Sequence, residues 1–193
     1  MIKAIIFDCF GVLTTDTWRA FIDSLPESAD TNAARETHRA YDAGLLDKET
    51  AAEQIKQATG STFTELEDIR VENTIKNEQL LIYIKQLKPR YKIGLLSNVA
   101  TPWITDSFLT PDEQELFDAM VFSYETGMTK PDPQIFELVC KKLNVEPQEA
   151  VMIDDIERYC EAARDIGMQA VVYRDLKQLK QELKRILADL DHK

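Results

Sequence analysis

Five short runs of β-forming residues, Lys3 to Phe7, Lys92 to Leu96, Ala119 to Phe122, Ala150 to Ile153 and Gln169 to Tyr173, are apolar at nearly every position. A strand with one wet face alternates apolar with polar side chains, whereas a strand covered on both faces does not. The runs therefore predict a parallel sheet with helices on both sides. Between the later runs, Pro133 to Leu143 sets Phe136, Val139, Cys140 and Leu143 at helical spacing, and a second helical stretch, Ile156 to Ile166, ends before Gly167. Strands and helices alternating in this way predict an α/β fold, a doubly wound parallel sheet of Rossmann-like topology.

The first two runs are separated by roughly residues 15 to 88, which contain helical patterns and no convincing strand. The expected helices are Asp16 to Leu25, Thr31 to Asp42, Asp47 to Ala58, Thr64 to Ile75 and Asn77 to Leu87, punctuated by Pro26, Gly44, Gly60 and Pro89. This reads as a helical cap, residues 15–87, inserted into a core made of residues 1–14 and 88–193, with the last of these helices returning the chain to the core. The span from Asn98 to Lys130 has room for a helix, a short strand and a loop, so any lid over the site comes from the first insertion. At the C-terminus Leu176, Leu179, Leu183, Ile186 and Leu190 recur in a three-four pattern. About two heptads is short for a coiled-coil seam, and the pattern is read as a final helix packed on the sheet.

Charge and cysteine usage narrow the function classes. With 34 acidic and 23 basic residues the chain carries a net charge of −11, which disfavours nucleic acid and anionic membrane as partners. A small anionic substrate would then need local positive charge from a metal or a placed lysine. Cys9, Cys140 and Cys160 lack metal-ligand or redox spacing, so reduced thiols in a cytoplasmic protein are expected and zinc is not. Asp8 interrupts the N-terminal apolar run and no long apolar run follows, so neither export nor membrane anchoring is expected. The expected assembly is a monomer or weak homodimer.

In open parallel sheets ligands bind at the carboxyl ends of the strands. Those ends carry Asp8, Ser97 and the pair Asp154 and Asp155, with Lys130 on the loop before Pro133. Each has an ordinary structural reading: Asp155 as a helix cap, Ser97 and Asn98 as turn residues, Lys130 as a solvated charge. Together they are harder to explain that way. Carboxylates converging on one edge repel unless a proton or cation lies between them, and magnesium with oxygen ligands suits Asp8, Asp155 and waters.

The segments Asp8-Cys9-Phe10-Gly11-Val12-Leu13, Leu96-Ser97-Asn98, Lys130-Pro131-Asp132-Pro133 with Ile135-Phe136, and Ile153-Asp154-Asp155 with Glu161-Ala162-Ala163 and Gly167-Met168 follow one another as four motifs. In these the chain resembles the haloacid dehalogenase superfamily of aspartate-nucleophile hydrolases, in its subfamily with a helical cap after the first strand. The resemblance implies a magnesium-dependent hydrolase acting on a small phosphorylated metabolite, with Asp8 becoming an aspartyl phosphate. It implies magnesium held by Asp8, the backbone carbonyl of Phe10 and Asp155, with Asp154 reaching it through water or holding Lys130. Ser97 and the amides around Cys9, Phe10 and Asn98 would bind phosphoryl oxygens, and Lys130 would screen the charge between Asp8 and the phosphate.

One departure bears on the chemistry. Relatives commonly carry a second aspartate two residues after the nucleophile as general acid/base; here the residue is Phe10. Losing such a group costs about 10²- to 10⁴-fold, leaving a weakened enzyme suited to good leaving groups unless another residue substitutes. Asp16 and His38 are the candidates, although Asp16 reads as a helix cap and His38 as a solvent-facing residue beside Glu36 and Arg39. Ile156 and Tyr159 also depart from the pattern and alter hydrogen bonding around the acidic pair. Trp18 and Trp103 read as buried aromatics, and Cys9 as an inert core thiol whose pKa the neighbouring carboxylate raises. Two other functions stay open: a metal-independent dehalogenase-like hydrolase, which the Asp154-Asp155 pair disfavours, and a non-catalytic phosphate- or partner-binding protein, which Phe10, Ile156 and Tyr159 motivate.

Overall fold

A computed structural model describes residues 1–61 and 74–188. Strands β1 (Ala4–Phe7), β2 (Lys92–Ser97), β3 (Ala119–Phe122), β4 (Ala150–Asp154) and β5 (Gln169–Val172) form one sheet in the order β3-β2-β1-β4-β5. Every pairing is parallel. Phe7 pairs with Leu95 of β2 on one side and Ile153 of β4 on the other, so Asp8 leaves the sheet where the strand order reverses.

The helices are α1 (Thr17–Ser24), α2 (Thr31–Asp42), α3 (Lys48–Thr59), α4 (Glu78–Leu87), α5 (Pro133–Leu143), α6 (Glu157–Asp165) and α7 (Leu176–Ala188). Part of the acidic excess starts them. Asp16, Asp30, Asp47 and Asp132 each accept a first-turn backbone N–H at a helix N-cap, and Asn77 does the same for α4. The helix expected over Thr64 to Ile75 falls largely on residues 62–73, which lie outside the described residues, as does Leu190. Between β2 and β3 the chain forms a π-helical turn, Ile104–Phe108, and then a short helix, Pro111–Gln114, restarted by Pro111 and a Thr110–Glu113 capping box.

Both faces of the sheet are covered, as the uninterrupted apolar runs require. Ile5, Phe7, Ile93, Leu95, Val151 and Ile153 share one cluster with Leu80, Leu81, Ile84 and Leu87 of α4 and Leu179 and Leu183 of α7. The neighbouring positions Ala4, Ile6, Leu96 and Met152 face the other way, onto Phe136, Val139 and Leu143 of α5 and Ala163 of α6. The three-four pattern of α7 thus packs on the sheet. Among the described residues no helix is long and apolar enough to cross a membrane.

Helices α1 to α3 have a small apolar cluster of their own, built from Phe21, Ile22, Ala34 and Ile55 with Trp18 packed against it. The chain leaves for these helices and returns from them at one place. There the Asn77 backbone N–H donates to the Leu13 carbonyl at 2.8 Å, and the Thr14 hydroxyl donates to the Ile75 carbonyl at 3.1 Å. The Asn77 side chain also donates to the Val12 carbonyl at 3.1 Å and to the Tyr173 hydroxyl at 2.8 Å. A further tie joins the end of α2 to the sheet: the buried Ser123 hydroxyl donates to the Asp42 carbonyl at 2.6 Å and accepts from the Val99 N–H at 2.8 Å.

Candidate active site

Residue 8 extends the β1 ladder by one bond, its N–H donating to the Ile153 carbonyl at 2.9 Å, and the chain then turns back through Gly11 at φ +82°. This leaves Asp8 only 5% exposed, with Oδ1 accepting from the Cys9 N–H at 2.7 Å. Lys130 is 1% exposed, so it is no loop charge in solvent. Its Nζ lies 2.9 Å from Asp8 Oδ1 and 2.6 Å from Asp154 Oδ2. Asn98 fixes the lysine from behind, accepting from the Lys130 N–H at 2.9 Å and donating Nδ2 to the Lys130 carbonyl at 3.1 Å.

The two adjacent aspartates have different surroundings. Asp154 is fully spoken for, since Oδ2 meets Lys130 and Oδ1 accepts from the Ile156 N–H at 2.9 Å. Asp155 does not cap α6, whose N-cap position is Ile156 with no side-chain cap bond. Instead Asp155 Oδ2 accepts from Arg19 Nη2 at 2.8 Å, and Arg19 Nε lies 3.3 Å from Oδ2 of Asp16, the residue that caps α1. Asp155 Oδ1 is buried without a hydrogen-bond partner among the described residues, and so is the Ser97 hydroxyl at the end of β2.

Burial pushes the Asp8 carboxyl well above the usual carboxylate range; Lys130 draws it down and Asp154 adds to the rise. For Lys130, burial works against the charge, but Asp154 and Asp8 outweigh it and hold the ammonium above the usual lysine value. Burial also raises the Asp155 carboxyl, against the pull of Arg19 and with the repulsion of Asp154. The cluster therefore has more negative charge than its two cations cover. Oxygens of Asp8, Asp154 and Asp155 lie within 4.8 Å of one another, close enough to share one ion. An oxygen-only donor set with one orphaned buried oxygen fits a hard divalent cation such as magnesium. Cys9 is buried and its thiol pKa is raised, chiefly by burial and secondarily by the Asp8 charge expected from the sequence.

Gly11 forms part of this cradle. A Cβ added there would lie 2.4 Å from Asp155 Cγ, at a backbone angle that L side chains rarely adopt. Gly11→Ala is expected to cost about 2–4 kcal/mol, from left-handed strain plus overpacking, and to displace the Asp155 carboxylate. A urea titration reads the first effect and calorimetric titration with magnesium the second; an unchanged denaturation midpoint would show that the turn relaxes freely.

A cavity of about 430 Å³ opens over these groups. Asp8, Asn98 and Lys130 lie on its sheet side, and Trp18, Arg19 and His38 on the side of α1 and α2. His38 is thus not a solvent-facing helix residue: its ring stacks on Trp18 with centroids 3.8 Å apart, and Nδ1 lies 3.2 Å from Asp42 Oδ2. Phe10 lines the cavity and stacks on Trp103 at 5.8 Å, which in turn stacks on Phe108 at 5.0 Å. Tyr159 lies under the lysine, with Nζ 5.0 Å from its ring centre. The sequence reading missed Arg19, which meets a residue 136 positions away, and the side-chain role of Asn98. The only local signal for Arg19 is its place three residues after the capping Asp16.

An open parallel sheet whose central strand ends on a buried aspartate, ion-paired to a lysine beside two more aspartates, defines a doubly wound α/β protein with an acidic site at its topological switch point. Residues 2–167 match the haloacid dehalogenase-like hydrolase family, and the chain belongs to it. A D-ribitol-5-phosphate phosphatase of Bacteroides thetaiotaomicron is 27% identical over 97% of this chain and 99% of its own length. The bifunctional epoxide hydrolase 2 of Sus scrofa is 34% identical over 44% of this chain, which spans 16% of that longer protein. Among solved structures, an HAD-like family hydrolase from Porphyromonas gingivalis superposes with a TM-score of 0.72 at 22% identity, covering 97% of this chain and 98% of that one. A Bacteroides thetaiotaomicron HAD family enzyme in complex with magnesium and inorganic phosphate superposes at 0.65 and 20% identity, covering 93% and 99%. These two likenesses establish the fold.

Proposed function

We propose that the protein is a magnesium-dependent phosphatase of small phosphorylated metabolites, working through an aspartyl phosphate on Asp8. The observation that carries this reading is the Asp8–Lys130–Asp154 chain of ion pairs beside the orphaned oxygen of Asp155. Asp8, the Phe10 carbonyl and Asp155 would hold the metal, while Asp154, occupied on both oxygens, acts by holding Lys130. Bound magnesium supplies positive charge that draws the phosphoryl group onto the nucleophile.

Asp8 attacks phosphorus as the bond to the leaving oxygen breaks, and water then cleaves the acyl phosphate to restore the carboxylate. Lys130 reduces the repulsion between two anions as they approach. The Ser97 hydroxyl and the backbone amides of Cys9, Phe10 and Asn98 receive the phosphoryl oxygens. Helices α1 to α3 serve as a cap whose inner wall selects the substrate. That wall runs against the chain's overall charge, since Arg35 and Arg39 of α2 and Arg158 of α6 line the cavity without an ion pair to a described carboxylate. A locally cationic cavity in a protein of net charge −11 favours a small anion over a polyanion.

The test is phosphate release from a panel of acyl, aryl and alkyl phosphates, with magnesium and again with excess chelator. Magnesium-dependent release from at least one class is expected. Release that survives the chelator would remove the metal from the mechanism, and silence on the whole panel, with phosphate analogues still binding, would favour the non-catalytic reading.

A further inference from the structure

We propose that His38, oriented by Asp42, is the catalytic proton-transfer group of this site, a role that Phe10 cannot fill; the proposal rests on the phosphatase reading above. The carboxylates nearest the nucleophile have other work. Asp154 is bonded on both oxygens, Asp155 holds Arg19, and Asp16 caps α1 while contacting Arg19. The Tyr159 hydroxyl accepts from Arg158 at 2.8 Å, and its ring lies under Lys130.

His38 is different in three respects. It lines the same cavity as Asp8 and Phe10. Its Nδ1 is matched to the Asp42 carboxylate, a residue 7% exposed, which leaves Nε2 without a partner among the described residues. Imidazole is also the side chain that gains and loses protons most readily near neutral pH.

Two anchors hold the ring in the wall of the cavity that Asp8 lines. The residue it stacks on, Trp18, precedes Arg19, whose guanidinium reaches Asp155. Asp42, one helical turn beyond His38, is tied through its carbonyl and Ser123 to Val99, two residues past Ser97. The imidazole is therefore held between two helices, each fastened to a loop of the site.

The proton and electron balance is simple. In the first half-reaction Asp8 bonds to phosphorus, the phosphorus–oxygen bond to the leaving group breaks, and the Nε2 proton of imidazolium passes to the departing alkoxide. In the second, neutral Nε2 takes a proton from the water that attacks phosphorus; the bond to Asp8 breaks, phosphate leaves and imidazolium is restored.

The experiment measures kcat/KM for phosphate monoesters graded from acyl through aryl to alkyl leaving groups, in the parent, His38→Gln and Asp42→Asn. Both substrate classes are read on one preparation, so the ratio of alkyl to acyl kcat/KM is independent of the folded fraction. That ratio is expected to fall about 10²-fold in His38→Gln and by a smaller factor in Asp42→Asn, because acyl leaving groups depart without a proton. In His38→Gln, kcat should fall on all classes, since water attack on the aspartyl phosphate still needs the base. A uniform loss of kcat/KM across the series would reduce His38 to a structural residue, and an unaltered series would overturn the proposal outright. A parent inactive on every ester would instead count against the phosphatase reading.

Discussion

Asp8→Asn is expected to abolish phosphate release, by on the order of 10⁴-fold or more, and to leave the folded protein at least as stable as the parent. The two halves have one cause. The carboxylate proposed as the nucleophile is buried, and burial with the neighbouring Asp154 charge outweighs Lys130 enough to hold its pKa above the usual range. An acid whose pKa is raised in the fold ionises first in the unfolded chain. The native state then binds the extra proton, so stability falls as pH climbs from the ordinary aspartate value to the raised one. The amide of the variant does not ionise and contributes no such slope, while Lys130 keeps Asp154 as a partner. Urea midpoints for parent and variant across that pH range, alongside phosphate release, test both halves. Retained activity would remove Asp8 from its role as nucleophile, and parallel pH profiles of stability would show that its ionisation is already compensated.

Lys130→Met should act in the opposite direction on stability. The ammonium is 1% exposed and is the counter-charge to both Asp8 and Asp154. Removing one member of a buried ionic network strands the others, at a cost of about 3–5 kcal/mol, a large part of the stability of a domain this size. The denaturation midpoint is expected to drop accordingly at neutral pH. Without the lysine the Asp8 carboxyl shifts further upward, so its protonation relieves the repulsion and the deficit narrows as pH falls. The substitution should also silence phosphate release, because the two anions of the reaction lose their screen. A midpoint matching that of the parent would mean that water or Arg19 takes over the charge.

The sheet was legible because burial on both faces leaves a mark at every strand position, as in Ala150 to Ile153, where no polar residue interrupts. The bounds of α5 were equally plain, with Pro133 at its first turn and Asn144 in the left-handed conformation after its last. Asp8, Ser97, Asp154 and Asp155 could be found at strand ends before any coordinates, since parallel topology makes those ends converge. What could not be read is which long-range partner each polar group takes. His38 sits between charged neighbours, Glu36 and Arg39, and its local sequence describes a wet helix face; the position of Trp18 on another helix decides otherwise. Arg19 likewise shows nothing locally of its bond to Asp155. The Phe10–Trp103–Phe108 stack joins two loops far apart in the chain, and no spacing rule foretells it.

The crossing at Thr14 and Asn77 gives the insertion a single doorway: the backbone goes out and comes back through hydrogen-bonded neighbours, beside the strand that carries Asp8. A segment whose two ends meet can be lengthened, shortened or exchanged for an unrelated one without rethreading the sheet. Asp8, Ser97, Lys130 and Asp155 stay on one side of that doorway, and Trp18, Arg19, Arg35, His38 and Arg39 of the cavity wall lie on the other. A new insert grafted between residues 14 and 77 would leave Asp8, Ser97, Lys130 and Asp155 on the sheet, but it would have to bring its own counterparts of Arg19, which holds Asp155, and of His38.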